Sequence, residues 1–170
     1  MKKWICLIVV AVLAELITET RAGSQIKVVD GDSLEIGARR IRLLGIDAPE
    51  LFQECFDTEG VLYACGRQAK DYLQSMIDEG LSQGEKVKCK TYDVDRYQRD
   101  LSICHVGKRN LNFDMVKAGY AISYKSEMFS APEKKAKSAH KGIWQGKFMR
   151  PELFRTLKRE QEKQKNSKNR

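Results

Sequence analysis

The chain has 170 residues, of which 42% are hydrophobic, and it carries 31 Lys and Arg against 23 Asp and Glu, a net charge of +8. This length suits one domain with a single hydrophobic core and excludes two domains of ordinary size.

The first 22 residues have the pattern of a secretory signal peptide. Lys2 and Lys3 precede an apolar run from Trp4 to Ala14. That run is about 11 residues, whereas a membrane-spanning helix needs roughly 20. We expect cleavage after Ala22, because the strand pattern starts just beyond it. Cleavage after Ala14 and retention as an N-terminal anchor are the alternatives. A cleaved signal peptide predicts a secreted or periplasmic location.

Short β-type segments come next. The pattern predicts three strands, at residues 25–29, 33–36 and 40–46, the first two joined by the turn Asp30-Gly31-Asp32. Apolar residues at helical spacing predict a helix over residues 67–77 that ends by Gly80. A hairpin with arms at residues 85–91 and 99–106 follows.

The second half of the chain contains helix signals. Asn110 is a predicted N-cap of a short helix that Gly119 stops. Ser130-Ala-Pro-Glu133 has the form of a capping box, and its helix is expected to end near Gly142. A further helix is expected from Pro151. About five short strands and three helices predict an α+β domain with a small Greek-key barrel.

The cysteines indicate disulfide bonds. Removal of the signal peptide takes away Cys6 and leaves an even number in an exported chain. Of the three possible connectivities we favour Cys55 with Cys65, across an irregular loop, and Cys89 with Cys104, across the hairpin. Zinc is not expected, because there is no C-x-x-C motif and the two histidines are far apart in the sequence.

The positive charge is concentrated at the C-terminus. Residues 155–170 hold seven basic and two acidic residues. This basic tail, residues 151–170, is either a solvated extension or a non-specific contact for a polyanion such as nucleic acid or an anionic membrane.

The stretch IRLLGIDAPE, residues 41–50, contains an arginine in an apolar strand. Arg42 is the one charged residue before Asp47, and an unpaired buried charge costs several kcal/mol, on the order of magnitude for desolvated ions. The acidic turns Asp30-Gly-Asp32 and Asp47-Ala-Pro-Glu50 and the segment Asp95–Arg99 are individually ordinary turn or strand-end sequences.

Together, these four features suit the chemistry of a phosphodiester. Clustered aspartates favour Ca²⁺ or Mg²⁺, and guanidinium groups present a planar fork to phosphate oxygens. A glutamate beside the cation can orient or deprotonate a water molecule.

The motifs VVDGDSLEI, RRIRLLGIDAPE and DRYQRDLSI, in this order, resemble the staphylococcal nuclease family. The segments NLNFDMVKAGYA and SAHKGIW are similar to its later parts, so the resemblance covers residues 25–144. The cysteine-containing insert CFDTEGVLYACGRQA resembles the exported bacterial branch. A nuclease-like domain over residues 23–150 follows.

The resemblance implies a five-stranded OB-fold barrel with packed helices and a monomer that hydrolyses DNA and RNA with Ca²⁺, leaving 3′-phosphate ends. Asp32 and Asp47 match the calcium ligands, and Ala48 matches a backbone carbonyl ligand. Arg42 and Arg99 match the two arginines that stabilise the transition state, and Glu50 matches the general base.

The resemblance also implies substrate contacts. Arg96 and Tyr97 match positions that touch a substrate phosphate, and Tyr124 is the candidate for a base or sugar contact. Gln98 departs from the family pattern, which has glycine there. If that position has positive φ, Gln98 is strained by roughly 1 kcal/mol or more.

Two other interpretations use the same residues. A catalytically weak or inactive OB-fold module would bind nucleic acid through its groove and basic tail, but it has no need of carboxylates facing a polyanion. A disulfide-stabilised extracellular interaction domain would leave Arg42 unexplained. The retained acidic and arginine residues favour the nuclease.

Overall fold

The computed structural model describes residues 25–168, and the predicted signal peptide, residues 1–22, lies outside the described residues. Within residues 25–168, none of the helices combines the length and apolarity needed to span a bilayer.

Within the part of the chain that the structure describes, ten strands form one main sheet and two small ones. The main sheet contains β1 (Ile26–Val28), β2 (Ser33–Ile36), β3 (Arg39–Leu43), β7 (Val87–Val94), β8 (Asp100–Val106) and β9 (Arg109–Asn110). Its order is β1-β2-β3-β8-β7, with β9 paired to β8, and only the β3–β8 pairing is parallel. The small sheets pair β4 (Ile46–Asp47) with β10 (Ile122–Ser123), and β5 (Cys55–Phe56) with β6 (Leu62–Tyr63).

Four α-helices cover the described chain. They are α1 (Cys65–Ser82), α2 (Leu111–Lys117), α3 (Ser130–Ser138) and α4 (Pro151–Lys168), with a 3₁₀ turn at Gly142–Gln145. The main sheet curls into a half-barrel, and the α+β prediction of an OB-fold type with packed helices is confirmed. The fourth α-helix is the basic tail.

The core lies between the curled sheet and α1. Ala69, Leu73, Met76 and Ile77 are the helix residues that periodicity predicted, and all are buried in one cluster with side chains of β1, β2, β3 and β8. Burial of Leu73, Met76 and Ile77 contributes about 1.5–3 kcal/mol each, which is why the amphipathic face of α1 fixes its position on the sheet.

The predicted strand over residues 40–46 is wrong, because the chain turns inside it. Strand β3 ends at Leu43, and Gly45 has φ +78°. This left-handed conformation suits glycine, and it starts β4 in a different sheet. The turn is fixed by hydrogen bonds from Leu44 N to Ser102 O and from Tyr124 N to Gly45 O.

The predicted caps had different outcomes. The Asn110 side chain accepts a hydrogen bond from Phe113 N at 2.9 Å, so this N-cap is confirmed. The capping box is wrong, because Ser130 already lies in α3 and its hydroxyl donates to Glu127 O. The Glu133 carboxylate accepts instead from Ser123 N, which ties α3 to β10.

Both disulfide predictions are confirmed. Cys55 and Cys65 are bonded with their Cα atoms 5.6 Å apart, and Cys89 and Cys104 are bonded with Cα atoms 4.1 Å apart. The second pair is directly cross-strand between β7 and β8. The first links β5 to the start of α1, next to the acidic segment that follows β4.

Candidate active site

The β2–β3 register brings an aspartate beside Arg42. Ser33 and Arg42 are opposite each other, so the preceding residue, Asp32, leaves the β1–β2 turn beside the guanidinium. Arg42 Nη1 donates to Asp32 Oδ1 at 2.5 Å. The turn holds Asp32 in place, because its backbone N–H donates to Asp30 Oδ1.

The Gly45 turn brings a second aspartate to the same guanidinium. Arg42 Nη2 donates to Asp47 Oδ1 at 2.8 Å. The Arg42 side chain is 15% exposed and that of Asp47 is 0% exposed. The positive charge of Arg42 is thus neutralised by two buried carboxylates. The spacing of the motifs did not predict these two contacts.

Asp32 is held on both of its oxygens. Oδ1 also accepts from the Ser33 hydroxyl at 2.9 Å, and Oδ2 accepts from Ala48 N at 3.0 Å. Burial raises the pKa of Asp32 to about 6, and the positive charge of Arg42 opposes that rise. On Arg42 itself, burial acts to lower the pKa, but Asp32 and Asp47 together raise it above its ordinary value.

Glu50 lies at the rim of this acidic pair. Its side chain is 35% exposed, and its backbone N–H donates to Gln53 Oε1 at 3.2 Å. Gln53 is buried, and its amide nitrogen donates to Met149 O at 2.6 Å. This glutamine therefore ties the Glu50 segment to the residues just before α4.

Arg155, on the second turn of α4, is a site residue that the sequence did not reveal. Its Nη1 lies 2.9 Å from Asp47 Oδ1 and 2.7 Å from Glu50 Oε1, and its Nη2 lies 3.1 Å from Asp47 Oδ2. Burial acts to lower the pKa of Arg155, but the bonds to Asp47 and Glu50 raise it well above its ordinary value. The sequence presents the tail as a basic segment only, and nothing in its local pattern distinguishes this arginine.

The β7–β8 turn carries the second predicted catalytic arginine. Arg99 pairs with Asp95, Nη2 to Oδ2, at 2.7 Å. In the parallel β3–β8 register Ile41 pairs with Asp100 and Arg42 with Leu101. Arg99 thus precedes β8 by one residue and lies two residues before Leu101, the partner of Arg42 in this register.

Gln98 has φ +60°, the left-handed conformation that favours glycine and strains a residue with a side chain. The turn nevertheless closes, since Gln98 N donates to Asp95 O at 2.9 Å. Arg99 therefore keeps an ordered partner despite the substitution.

The predicted substrate residues lie outside the carboxylate cluster. Arg96 stacks on the Tyr97 ring at 4.9 Å and donates to its hydroxyl, and both residues project from the β7–β8 turn. The Tyr124 hydroxyl, which follows β10, donates to Glu152 Oε1 of α4 at 2.9 Å. The cluster itself unites Asp32, Arg42, Asp47 and Glu50 through guanidinium groups.

The donor chemistry of this cluster fits a hard cation. Carboxylate oxygens are the ligands that Ca²⁺ and Mg²⁺ prefer, and Asp32, Asp47 and Ala48 are adjacent through the Ala48 N–Asp32 bond. Across residues 25–168, however, no three His, Cys, Asp or Glu side chains are arranged as a ready metal site. The carboxylates are arranged around arginines instead.

Comparisons with known proteins identify the family to which the chain is similar. The family model described as "Staphylococcal nuclease homologue" matches residues 40–146. The chain is 32% identical over 144 residues to the "Succinoglycan biosynthesis protein ExoI" of Rhizobium meliloti, covering 79% of this chain and 73% of the relative. It is 28% identical over 147 residues to an "Uncharacterized endonuclease" of Haemophilus influenzae, covering 81% and 74% of the two chains. It is also 32% identical over 136 residues to the "Endonuclease YhcR" of Bacillus subtilis, covering 69% of this chain and 11% of the relative.

Proposed function

Because the chain belongs to the staphylococcal nuclease family, we propose that it is an exported, calcium-dependent nuclease that cleaves DNA and RNA to 3′-phosphate ends. Its nuclease character is supported by relatives named as endonucleases. The cation, the product ends and the export are parts of the proposal.

One observation carries the proposal more than any other. A guanidinium that is 15% exposed joins two buried aspartates, and a glutamate lies beside them at the rim. A protein that only binds a polyanion gains nothing from three carboxylates facing it, since like charges repel. A phosphodiesterase needs carboxylates to hold a cation and to take a proton from water.

The reaction uses the residues as follows. A water molecule whose proton passes to Glu50 attacks phosphorus, and the bond from phosphorus to the 5′ oxygen breaks. Arg42 and Arg99 donate hydrogen bonds to the phosphate oxygens as negative charge develops there. The departing oxygen takes a proton from solvent and becomes a 5′-hydroxyl, while the phosphate remains on the 3′ side.

The residues that would hold Ca²⁺ are Asp32, Asp47 and the Ala48 carbonyl. When bound, the ion supplies positive charge that offsets the carboxylates and the phosphate. The substrate contacts proposed for Arg96, Tyr97 and Tyr124 would orient the strand. Arg96 already forms a cation–π pair with Tyr97, a geometry that leaves guanidinium N–H groups for a phosphate.

Export is supported by the leader-like first 22 residues and by the two disulfides. Disulfide bonds persist in oxidising compartments such as a periplasm or the extracellular medium. We propose that the protein acts there as a monomer.

The test is cleavage of single-stranded DNA and of RNA by the purified protein, with Ca²⁺ and with a chelator. Glu50→Gln is expected to lower turnover by at least a hundredfold, with Glu54→Gln, an exposed neighbour, as the matched control. Arg42→Ala is expected to lower it by several orders of magnitude, with exposed Arg40→Ala as its control. A folded protein that binds the strand without cleaving it would establish the OB-fold binding module instead.

A further inference from the structure

We infer that Arg155 is an internal cation that occupies the acidic site. A divalent cation then binds there only when α4 undocks and Arg155 leaves the site. This inference rests on the proposed function, because it concerns the same carboxylates. It assigns a regulatory contact to the basic tail, which lies beyond the residues that the family model matches.

The contacts of Arg155 are those of a cation held by ligands. Three hydrogen bonds of 2.7–3.1 Å join its guanidinium to Asp47 and Glu50. Asp47 Oδ2 and Glu50 Oε1 have no other hydrogen-bond donor among residues 25–168. These are the oxygens that withdrawal of Arg155 would free.

The charges favour one occupant at a time. Asp32, Asp47 and Glu50 with Arg42 leave a formal charge of −2. Arg155 neutralises half of it, whereas a divalent cation neutralises all of it. The guanidinium and the cation together would place excess positive charge among buried groups, and both require the same Asp47 carboxylate.

The tail helix is attached at two other points near the site. The carbonyl of Met149, just before α4, accepts from the buried Gln53 amide at 2.6 Å, and Glu152 accepts from the Tyr124 hydroxyl. Beyond Arg155 the side chains of α4 are exposed. Arg155 therefore marks the end of the docked part, and Tyr124, a predicted substrate residue, is engaged by the same segment.

Competition of this kind lowers the apparent affinity for the ion. If Arg155 is seated in 90–99% of molecules, the apparent dissociation constant for Ca²⁺ is about 10- to 100-fold above that of the open site. The ion and the helix then oppose each other reciprocally, so Ca²⁺ also releases α4.

The experiment measures Ca²⁺ affinity by calorimetric titration with calcium chloride, using the full chain. Arg155→Gln is expected to bind Ca²⁺ at least tenfold more tightly than the wild type. Arg155→Lys, which keeps the charge without the planar fork, is expected to lie between them. Arg159→Gln is the matched control, since Arg159 is exposed one turn further along and bonds only the Arg155 carbonyl among the described residues.

A second measurement follows the helix itself. Hydrogen exchange of residues 150–168 in the wild type is expected to become faster when Ca²⁺ is added, because the helix is released. Arg155→Gln is expected to show fast exchange already without the ion.

Equal Ca²⁺ affinities in Arg155→Gln and the wild type would overturn the inference. It would also be overturned if neither Ca²⁺ nor the substitution changed the rate of hydrogen exchange in α4. Loss of turnover in Arg155→Gln at saturating Ca²⁺, with unchanged affinity, would also overturn it and make Arg155 a catalytic residue. Tighter Ca²⁺ binding without any cleavage by either protein would support the inference and reject the nuclease.

Discussion

Gln98 occupies a backbone position that a side chain disfavours. Its φ of +60° costs an L-residue roughly 1 kcal/mol, which glycine avoids. We predict that Gln98→Gly raises the free energy of unfolding by up to about 1 kcal/mol, measured by denaturant titration. Gln98→Ala keeps the strain and is the control, with no gain expected. A loss of stability in Gln98→Gly would show that the added freedom of the unfolded chain outweighs the relief.

Asp95 organises the same turn electrostatically. Burial acts to raise the pKa of its carboxyl, but hydrogen bonds from Arg99 and from Tyr97 N outweigh it and hold the pKa below the ordinary 3.8. A depressed pKa means that the ionised form stabilises the fold above that value, and that this stability is lost as the pH falls through the folded-state pKa.

We therefore predict a pH-dependent effect of Asp95→Asn. The variant is expected to melt a few degrees below the wild type above pH 5, because the pair with Arg99 is gone. The gap should close as the pH falls below 3.8 and Asp95 itself becomes protonated. Thermal melting from pH 2 to 7 measures it, with Asp93→Asn in the same hairpin as the control. A gap that is constant with pH would mean that the charge of Asp95 contributes nothing.

The sequence motifs predict most residues of the site but not which arginine pairs with which carboxylate. Asp32, Arg42, Asp47 and Glu50 are expected to lie together from their motifs, and they do. Arg99, which was expected with them, pairs with Asp95 in the β7–β8 turn instead. That Arg42 joins both aspartates depends on the Gly45 turn. Arg155 is 108 residues from Asp47, and such a contact depends on how a helix docks, which local patterns do not encode.

At the scale of elements, the break between β3 and β4 is the feature that builds the site. Local propensity favours one strand over residues 40–46, since apolar residues dominate both of its faces. Tertiary contacts decide otherwise, because β4 pairs with β10, which comes 75 residues later. The helices and hairpins made of local contacts were predicted within a few residues, whereas this long-range pairing was not.

The turn gives a prediction for Gly45→Ala. Alanine would be strained at the φ of this position, and its Cβ would lie 3.0 Å from Phe129 Cε2. We expect a loss of about 1–3 kcal/mol in the free energy of unfolding, together with weaker catalysis as Asp47 shifts from Arg42. Gly60→Ala is the matched control, because its φ is +80° but nothing lies within 4 Å of its Cβ. Equal losses in the two variants would show that the Phe129 contact is without consequence.

At the scale of the whole molecule, the charge asymmetry predicts two separable roles for the tail. Residues 155–170 hold seven basic residues, and only Arg155 reaches the carboxylates among those described. The exposed lysines of α4 are free to meet a polyanion. Binding through them would release counterions and weaken steeply with salt.

We predict that two variants separate these roles. Replacing Lys158, Lys163, Lys165 and Lys168 by Gln should flatten the dependence of DNA affinity on salt, by roughly 0.7 in the logarithmic slope for each single-strand phosphate that the lysines no longer neutralise. Because Arg155 remains, Ca²⁺ affinity should not change. Truncation after Phe154 removes all seven basic residues, so it should flatten the slope at least as much, and it should also tighten Ca²⁺ binding at least tenfold. Fluorescence anisotropy of a labelled strand across salt concentrations gives the slopes, and calorimetry gives the ion affinity. An unchanged slope in both variants would identify the lysines as a solvated surface, and the tail would then act on the site through Arg155 alone.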